Sequence, residues 1–460
     1  MINFTTLFAN KNNKPICKVG ILGANGGFGY TFLAQARLMK KMMELRVVCD
    51  RDSTKSIALL KEMGYEEENL HVCTSITEVE NAPQTGIVVL NDDSLFPSTD
   101  CDVLVEATGN PEGSALHAEQ CLLSGKHVVM VSKEADVVAG PYLFRLAKSK
   151  GLVYTLALGD QPANLINWIS YIQTLGLEII CAGKSSEYDF IYDIDTGRLQ
   201  YRDQRAMIPE LKKYCHLGND KFATLKARSE LLKAFPQFAV PDYNEMNVIS
   251  NVTRLRPSCP RLHYPIINVS ELADVYALKE DGGIIDKPGV LDTFNCFHRP
   301  DEVSFAGGVF VIVKCHNKKV FGILADKGHV VSKNHDYAAL YLPYHYMGVE
   351  APMSVLQAYY LGLSGYQQCN PVCTMVCKTE RNFHKGETME LYTHHRCLKD
   401  VYVTYEIASS LPKNVAPYYL VAEKKLLRDI PVGTIITQDM LDLSQSNLKR
   451  MIDQVKECAI

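Results

Sequence analysis

The stretch Lys18-Val19-Gly20-Ile21-Leu22-Gly23-Ala24-Asn25-Gly26-Gly27-Phe28-Gly29 leaves the folding chain few choices. Val19 to Leu22 is a short apolar run of the kind a parallel strand buried on both faces requires. Glycines at 23, 26 and 29 break the run, and Phe32-Leu33-Ala34-Gln35-Ala36-Arg37-Leu38-Met39 then reads as a helix. Strand, glycine turn and helix in that order make an anion site. Glycine lets the backbone approach a pyrophosphate, and the helix N-terminus offers unpaired N–H groups at the positive end of its dipole. The spacing Gly-x-x-Gly-x-x-Gly departs from the commoner G-x-G-x-x-G, because Asn25 takes the middle place and Gly26 follows it. About twenty residues beyond Gly29 a second apolar strand, Leu45 to Cys49, ends in Asp50, where a carboxylate can accept from ribose hydroxyls. Gly23, Asn25, Gly26, Gly27, Phe28, Gly29 and Asp50 are therefore expected to hold a dinucleotide. Arg51 suits a 2′-phosphate, so NAD and NADP both remain open.

The alternation continues. A helix is predicted over Thr54 to Met63, stopped by Gly64, and a buried strand over Gly86 to Leu90. The strand Asp102 to Ala107 runs into a Thr108-Gly109-Asn110-Pro111 loop, placed where open parallel sheets bind ligands. A helix over Gly113 to Ser124, a strand over His127 to Val131 ending in Ser132-Lys133-Glu134, a helix over Tyr142 to Lys150 and a strand over Leu152 to Leu158 complete the pattern. The fold class is α/β, with a Rossmann-type doubly wound parallel sheet over residues 1–160.

From Gly159 the character changes. Gly159-Asp160-Gln161-Pro162 opens a long helix, Ala163 to Leu175, and the strand Leu177 to Ala182 delivers Gly183-Lys184-Ser185-Ser186-Glu187-Tyr188-Asp189. Residues 190–345 mix short strands, loops and prolines, which predicts a central α+β catalytic domain over 161–368. Residues 348–361 read as an amphipathic helix able to return to the first domain. The last hundred residues read as strands, Val401 to Tyr405 and Tyr418 to Ala422 among them, and form a small β-rich domain over 369–460.

With 48 basic and 52 acidic residues and no long block of either sign, nothing suggests a nucleic-acid surface. No apolar run approaches the roughly 20 residues of a membrane span, and the first residues lack the pattern of a secretory signal. Fifteen scattered cysteines without a C-x-x-C fit reduced thiols in the cytoplasm. Cys369, Cys373 and Cys377, followed by His384, His394, His395 and Cys397, allow a metal site; Val372 to Cys377 reads better as a strand with its thiols on one face, and no metal ligand is assigned.

Several stretches carry a family resemblance: Gly159-Asp160-Gln161-Pro162, Ala182 to Asp189, Arg299-Pro300-Asp301-Glu302 with Ser304 to Phe310, and Tyr344-His345 with Gly348-Val349-Glu350. They are similar to the homoserine dehydrogenase-like proteins with a C-terminal SAF domain, and the resemblance covers nearly the whole chain. Arg428-Asp429-Ile430-Pro431-Val432-Gly433, within Val421 to Leu443, resembles the SAF signature. The resemblance implies a Rossmann domain, a central catalytic domain through which subunits pair as a homodimer, and a β-clip SAF module. Its well-defined enzymes are deoxyxylulose-phosphate reductoisomerase-like members of isoprenoid precursor synthesis. The Asn-Gly-Thr-Thr-Asn loop of true homoserine dehydrogenases and the Val-Asp-Ser-Glu-His metal motif of ordinary reductoisomerases are both missing.

Hydride transfer needs a group that polarises or protonates the substrate oxygen. Lys133, at the mouth of the nucleotide domain, is the first candidate, with burial expected to lower its pKa. Lys184 with Ser185 and Ser186 offers a seat for a phosphate or carboxylate. Glu187 and Asp189 can bind a divalent metal, relay a proton or sit solvated; Asp160 is a helix cap or a ligand. Arg299 can pair with an anionic substrate or with Asp301, and His345, among tyrosines, is a possible donor. The expected protein is an NAD(P)-dependent oxidoreductase of a small, anionic hydroxy or oxo compound. Two alternatives stand beside it: a deoxyxylulose-phosphate reductoisomerase-like enzyme, and a non-catalytic sensor of NAD(P) and a sugar-like ligand.

Overall fold

The computed structural model describes residues 3–9, 14–392, 396–407 and 414–457. Apolar runs with no polar face pair side by side in its first third. β1 (Cys17–Leu22), β2 (Met43–Cys49), β3 (Leu70–Val72), β4 (Ile87–Leu90), β5 (Val103–Glu106), β6 (His127–Met130) and β7 (Tyr154–Leu156) form one sheet in the order β3-β4-β2-β1-β5-β6-β7. Every pairing in it is parallel. The order reverses direction at β1, so the crevice beyond Leu22 and Glu106 is the place where such a sheet takes a ligand.

Helices cover both faces: α1 (Gly27–Leu38), α2 (Ser53–Glu62), α3 (Pro111–Leu123) and α4 (Lys133–Ser149). Asp52 caps α2 by accepting from the Lys55 N–H, and Asn110 caps α3 by accepting from Gly113. α4 is longer at its start than the sequence suggested. It begins at Lys133 rather than Tyr142, because Glu134 and Asp136 in its first turn favour a helix N-terminus.

α5 (Gln161–Thr174) leads to a mixed sheet built on β8 (Ile179–Ser185), with β9 (Phe190–Asp193), β10 (Arg198–Tyr201) and β11 (Gln204–Met207) to one side. α6 (Val240–Thr253) follows, then β12 (Val290–His298), β13 (Val309–Lys314) and β14 (Tyr337–Leu342). β12 runs parallel to β8, while β13 runs antiparallel to both of its neighbours, β8 and β14. β8 is buried throughout because it has a neighbour on each side and helices packed against it.

α7 (Ala351–Leu356) continues through a wider turn to Leu361 and joins the core of the first sheet. The Tyr360 hydroxyl donates to the Met42 carbonyl (3.0 Å) and accepts from the Cys17 N–H. Beyond it, β15 (Cys373–Thr379) pairs antiparallel with β16 (Val401–Ile407), and α8 (Asn447–Glu457) packs on α3 and α4. The predicted strand at 418–422 is instead a short helix, Tyr418–Val421, docked on α4; its apolar run is buried on all sides, which serves either geometry.

Candidate active site

At the nucleotide turn the glycines divide into two kinds. A Cβ on Gly23 (φ +88°) would lie 2.4 Å from the Ala107 carbonyl oxygen, and one on Gly29 would lie 2.3 Å from that of Ala24. These two permit the chain to pack. A Cβ on Gly27 would meet nothing within 4 Å, so that side is open. Gly26 starts α1 with no side-chain cap, which leaves the first-turn N–H groups for an external acceptor. Phe28 is buried in the core of the first domain, so it packs the turn with its side chain. Asn25 ties the turn together: its N–H donates to Asp50 (2.9 Å), its side-chain amide donates to the Asp52 carbonyl (2.9 Å), and its oxygen accepts from Ser56 (2.9 Å).

A cleft of about 410 Å³ runs from this turn past Asp50, Arg51, Thr108 and Asn110. Thr108 donates to Glu106 (2.6 Å), and the Gly109 N–H donates to the Ser132 hydroxyl (2.8 Å), which fixes the loop beside the start of α4. An open glycine face, uncapped helix amides and an acid at the end of β2 fit a dinucleotide, with no side chain of the turn in the way.

Lys133, the first residue of α4, sits where the two large domains meet. Its Nζ lies 3.0 Å from Asp160 Oδ2 and 2.8 Å from Glu245 Oε1. Glu245 also pairs with Lys184, whose Nζ is 2.7 Å from Asp242 Oδ1. Asp242 in turn accepts from Ser186 (2.8 Å) and Tyr264 (3.2 Å). One carboxylate therefore links two lysines from different domains. Burial pulls Lys133 down, but Asp160 and Glu245 outweigh it and hold the ammonium above the usual lysine range. This corrects the expectation of a lowered pKa, which counted burial without the partners. Lys184 is raised by the same balance, and burial opposes the charged form of Glu245 less than the two lysines favour it. In Asp242 burial wins, and its carboxyl is raised.

An ammonium has three protons. Those of Lys133 meet both oxygens of Asp160 (3.1 and 3.0 Å) and Glu245 Oε1, yet its side chain is 21% exposed, so one side of the ammonium stays open. Lys184 has no such freedom, being 2% exposed. It stands inside β8 rather than after it, and Ser185 and Ser186 are equally occupied: Ser185 donates to the Phe305 carbonyl (2.6 Å). These three residues therefore offer no open seat for an anion, because the strand that carries them has neighbours on both sides. They brace the site.

The remaining candidates separate. Asp160 is both cap and ion-pair partner, accepting from the Gln161 N–H (3.0 Å). Asp189 accepts from Ser304 (2.6 Å), Phe305 N–H (3.2 Å) and His298 (3.2 Å), so it pins the 304–308 loop. Glu187 is half-buried and bonds the Tyr188 phenol. Among the described residues no group of three or more His, Cys, Asp or Glu is placed to hold a metal ion; His394 and His395 lie outside them. Arg299 is exposed and paired with Asp301. It lies six residues along from Thr293, the register partner of Lys184, or about 20 Å away at strand spacing. His345 belongs to the site. Its ring packs on Gly307, where a Cβ would fall 1.8 Å from Nδ1, and it senses Asp160, Glu245, Lys184 and Lys133. Burial lowers its pKa, leaving a neutral imidazole at pH 7.

Asp242 and Glu245 escaped the sequence reading. Their signal was present: Pro241 in the first turn of the helix, an acid beside it, and carboxylates at i and i+3 on one face.

Two family models match the chain. "Homoserine dehydrogenase, NAD binding domain" covers residues 25–156, and "Oxidoreductase DRL, catalytic domain" covers residues 159–351. The chain belongs to the NAD-binding oxidoreductases. The boundary between the two matches falls at Gly159, beside the Lys133–Asp160 pair, so this oxidoreductase carries its central ion network across the domain junction. No curated protein matches it in sequence. Solved structures with local likeness include levoglucosan dehydrogenase with NADH and L-sorbose, at 16% identity and TM-score 0.28, covering 40% of this chain and 45% of that one. The 1-deoxy-D-xylulose 5-phosphate reductoisomerase of Zymomonas mobilis with NADPH is 13% identical, TM-score 0.28, covering 38% and 46%. The WlbA dehydrogenase of Bordetella pertussis with NADH and UDP-GlcNAcA is 15% identical, TM-score 0.28, covering 38% and 47%. The oxidoreductase thus spans less than half the length of each. No described helix is long and apolar enough to cross a membrane.

Proposed function

We propose that the protein is an NAD(P)-dependent dehydrogenase or reductase acting on a small, anionic hydroxy or oxo compound. The observation that carries this reading is Lys133, a partly exposed ammonium held by two carboxylates, next to Ser132, which fastens the loop that ends β5. The nicotinamide supplies and accepts the hydride. Lys133 polarises the substrate oxygen, and its raised pKa makes it a lasting cation rather than a proton donor. His345, neutral at rest, takes the proton from an alcohol in oxidation; in reduction its imidazolium, charged first from solvent, gives the proton to the forming alkoxide. Glu245 and Asp160 aim Lys133, and Lys184 keeps Glu245 ionised.

The reading extends to a homodimer, on the family resemblance, and to the cytoplasm, on cysteines that stand as free thiols, most of them buried. The segment 369–460 is read as a SAF-like module on its sequence signature. The test is turnover: purified protein with NADH or NADPH and a panel of oxo acids and sugar acids, deoxyxylulose phosphate with Mg²⁺ or Mn²⁺ included. Consumption of reduced cofactor that is lost in Lys133→Met supports the proposal. Nucleotide binding without turnover on any member would favour the sensor instead.

A further inference from the structure

A second cavity, of about 330 Å³, opens between the helix Lys221–Leu231, the start of α6 and the loop 261–266, and it shares no residue with the nucleotide cleft. Its size is that of a small-molecule site, roughly 300–1,000 Å³. Leu225, Phe238, Tyr243, Tyr264 and Ile284 give it apolar walls. Two basic residues, Arg261 and His263, line it, and no carboxylate does.

The loop that carries both is strained. Leu262 at φ +53° and Tyr264 at φ +46° flank His263, in a region that bulky side chains rarely enter. Such backbone states persist only where the surroundings impose them, and they gather at ligand-holding positions. Here the Tyr264 hydroxyl donates to Asp242 (3.2 Å), and the His263 N–H donates to Asp292 Oδ1 (2.9 Å). The imidazole is fixed as well, its Nδ1 donating to Asp292 Oδ2 at 2.5 Å. Burial opposes the charged ring, yet the bonds to Asp292 and Cys259 outweigh it, and His263 is a cation at pH 7. With Nδ1 given to Asp292, the Nε2–H on the far edge of the ring has no partner among the described residues, and the side chain is 28% exposed. The Arg261 guanidinium lies against the phenol of Tyr243, itself a wall residue, and over the Tyr402 ring (5.3 Å). Among the described residues it has no ion-pair partner.

We propose that this cavity is a second ligand site, which takes a small compound with an apolar body and one anionic head group, a carboxylate or phosphate, seated on the Nε2–H of His263 with Arg261 as the other cation of the wall. A charged donor held in one orientation makes a strong hydrogen bond to an anion, and the aromatic walls cover the body. The occupant would stand behind the ion network, because Tyr264 joins the cavity wall to Asp242 and hence to Lys184. The inference goes beyond the oxidoreductase reading and does not rest on it, since binding here needs neither nucleotide nor turnover.

The test is calorimetric titration of the full chain, free of nucleotide, with benzoate in one arm, phenyl phosphate in a second and benzyl alcohol as the neutral comparison. At least one anion is expected to bind saturably, about tenfold or more tighter than the alcohol, and the stronger arm names the head group. Against that anion His263→Gln should lose about tenfold, and Arg261→Ala and Phe238→Ala about threefold each. The inference is overturned if neither anion binds, or if the alcohol binds as tightly as the better anion. It is overturned equally if His263→Gln leaves the affinity unchanged, which would assign the anion to the nucleotide turn. Arg261 and Phe238 are exposed, so their variants keep the fold. Should His263→Gln fail to fold, unchanged affinity in both of them overturns the inference.

Discussion

Between Gly23 and Gly29 the chain makes a site by leaving side chains out, and the space so opened accepts a ligand's phosphates on backbone amides. Around Lys184 it fills the space with charge: two lysines and three carboxylates, drawn from four separate elements. The turn tolerates change wherever its open side faces solvent. The cluster tolerates very little, because each member neutralises another in a place water scarcely reaches. A site can be fragile either in its backbone or in its charge balance, and these two neighbouring regions show one case each.

The largest effect is expected where the balance is broken from inside. Lys184→Ala strands Asp242 and Glu245 without their shared cation, and removing one partner of a buried pair costs about 3–5 kcal/mol. Chemical denaturation reads this directly; a loss under about 1 kcal/mol would show that the cluster is more hydrated than its burial implies. Next comes Lys133→Met, which keeps the stem's volume. It should lower kcat by about a hundredfold and shift NADH affinity far less, since no contact of the nucleotide turn involves it.

The turn itself was legible from sequence because its parts are consecutive: strand, glycines and helix follow one another, and Asp50 lies one strand away. The cluster was not, because Lys133 meets Glu245 across 112 positions and nothing local marks that meeting. Lys184 misled for a related reason. A run of Lys-Ser-Ser-Glu looks like a loop on composition, but the strand continues to Ser185 once β12 and β13 flank it. Pairing partners decide the end of a strand, and they are remote in sequence. In the sequence His345 stands among tyrosines with nothing else to mark it; only Gly307, distant in the chain, shows why its ring stands where it does.

A smaller effect separates the glycines. Gly27→Ala should keep the fold and weaken cofactor binding about tenfold, because its Cβ enters the open space above α1. Gly29→Ala should lower stability first, since its Cβ meets the Ala24 carbonyl at 2.3 Å. Equal behaviour of the two variants would remove the distinction between packing and ligand-facing glycines.

The smallest effect lies on the opposite face of the mixed sheet, where Asp292, the register neighbour of Gly183, pairs with His263 at 2.5 Å. Burial pulls this histidine down, yet the bonds to Asp292 outweigh it and push it up to about 10. The folded pKa exceeds the unfolded value of about 6.5, so the pair's stabilisation is complete below that value and fades as pH rises through about 10. His263→Gln should therefore melt a few degrees below wild type at neutral pH, and the gap should close above pH 10. A gap that stays constant would mean that His263 contributes by packing alone.

The central claim is that Lys133 faces the reacting end of a bound nicotinamide. It is tested most directly by a crystal structure of the protein with NADH and oxalate. The account predicts the nicotinamide ring between the Thr108–Gly109 loop and Lys133, with an oxalate oxygen about 3 Å from Lys133 Nζ. A nicotinamide turned away from Lys133, with that ammonium closed off by Asp160 and Glu245 alone, would contradict it.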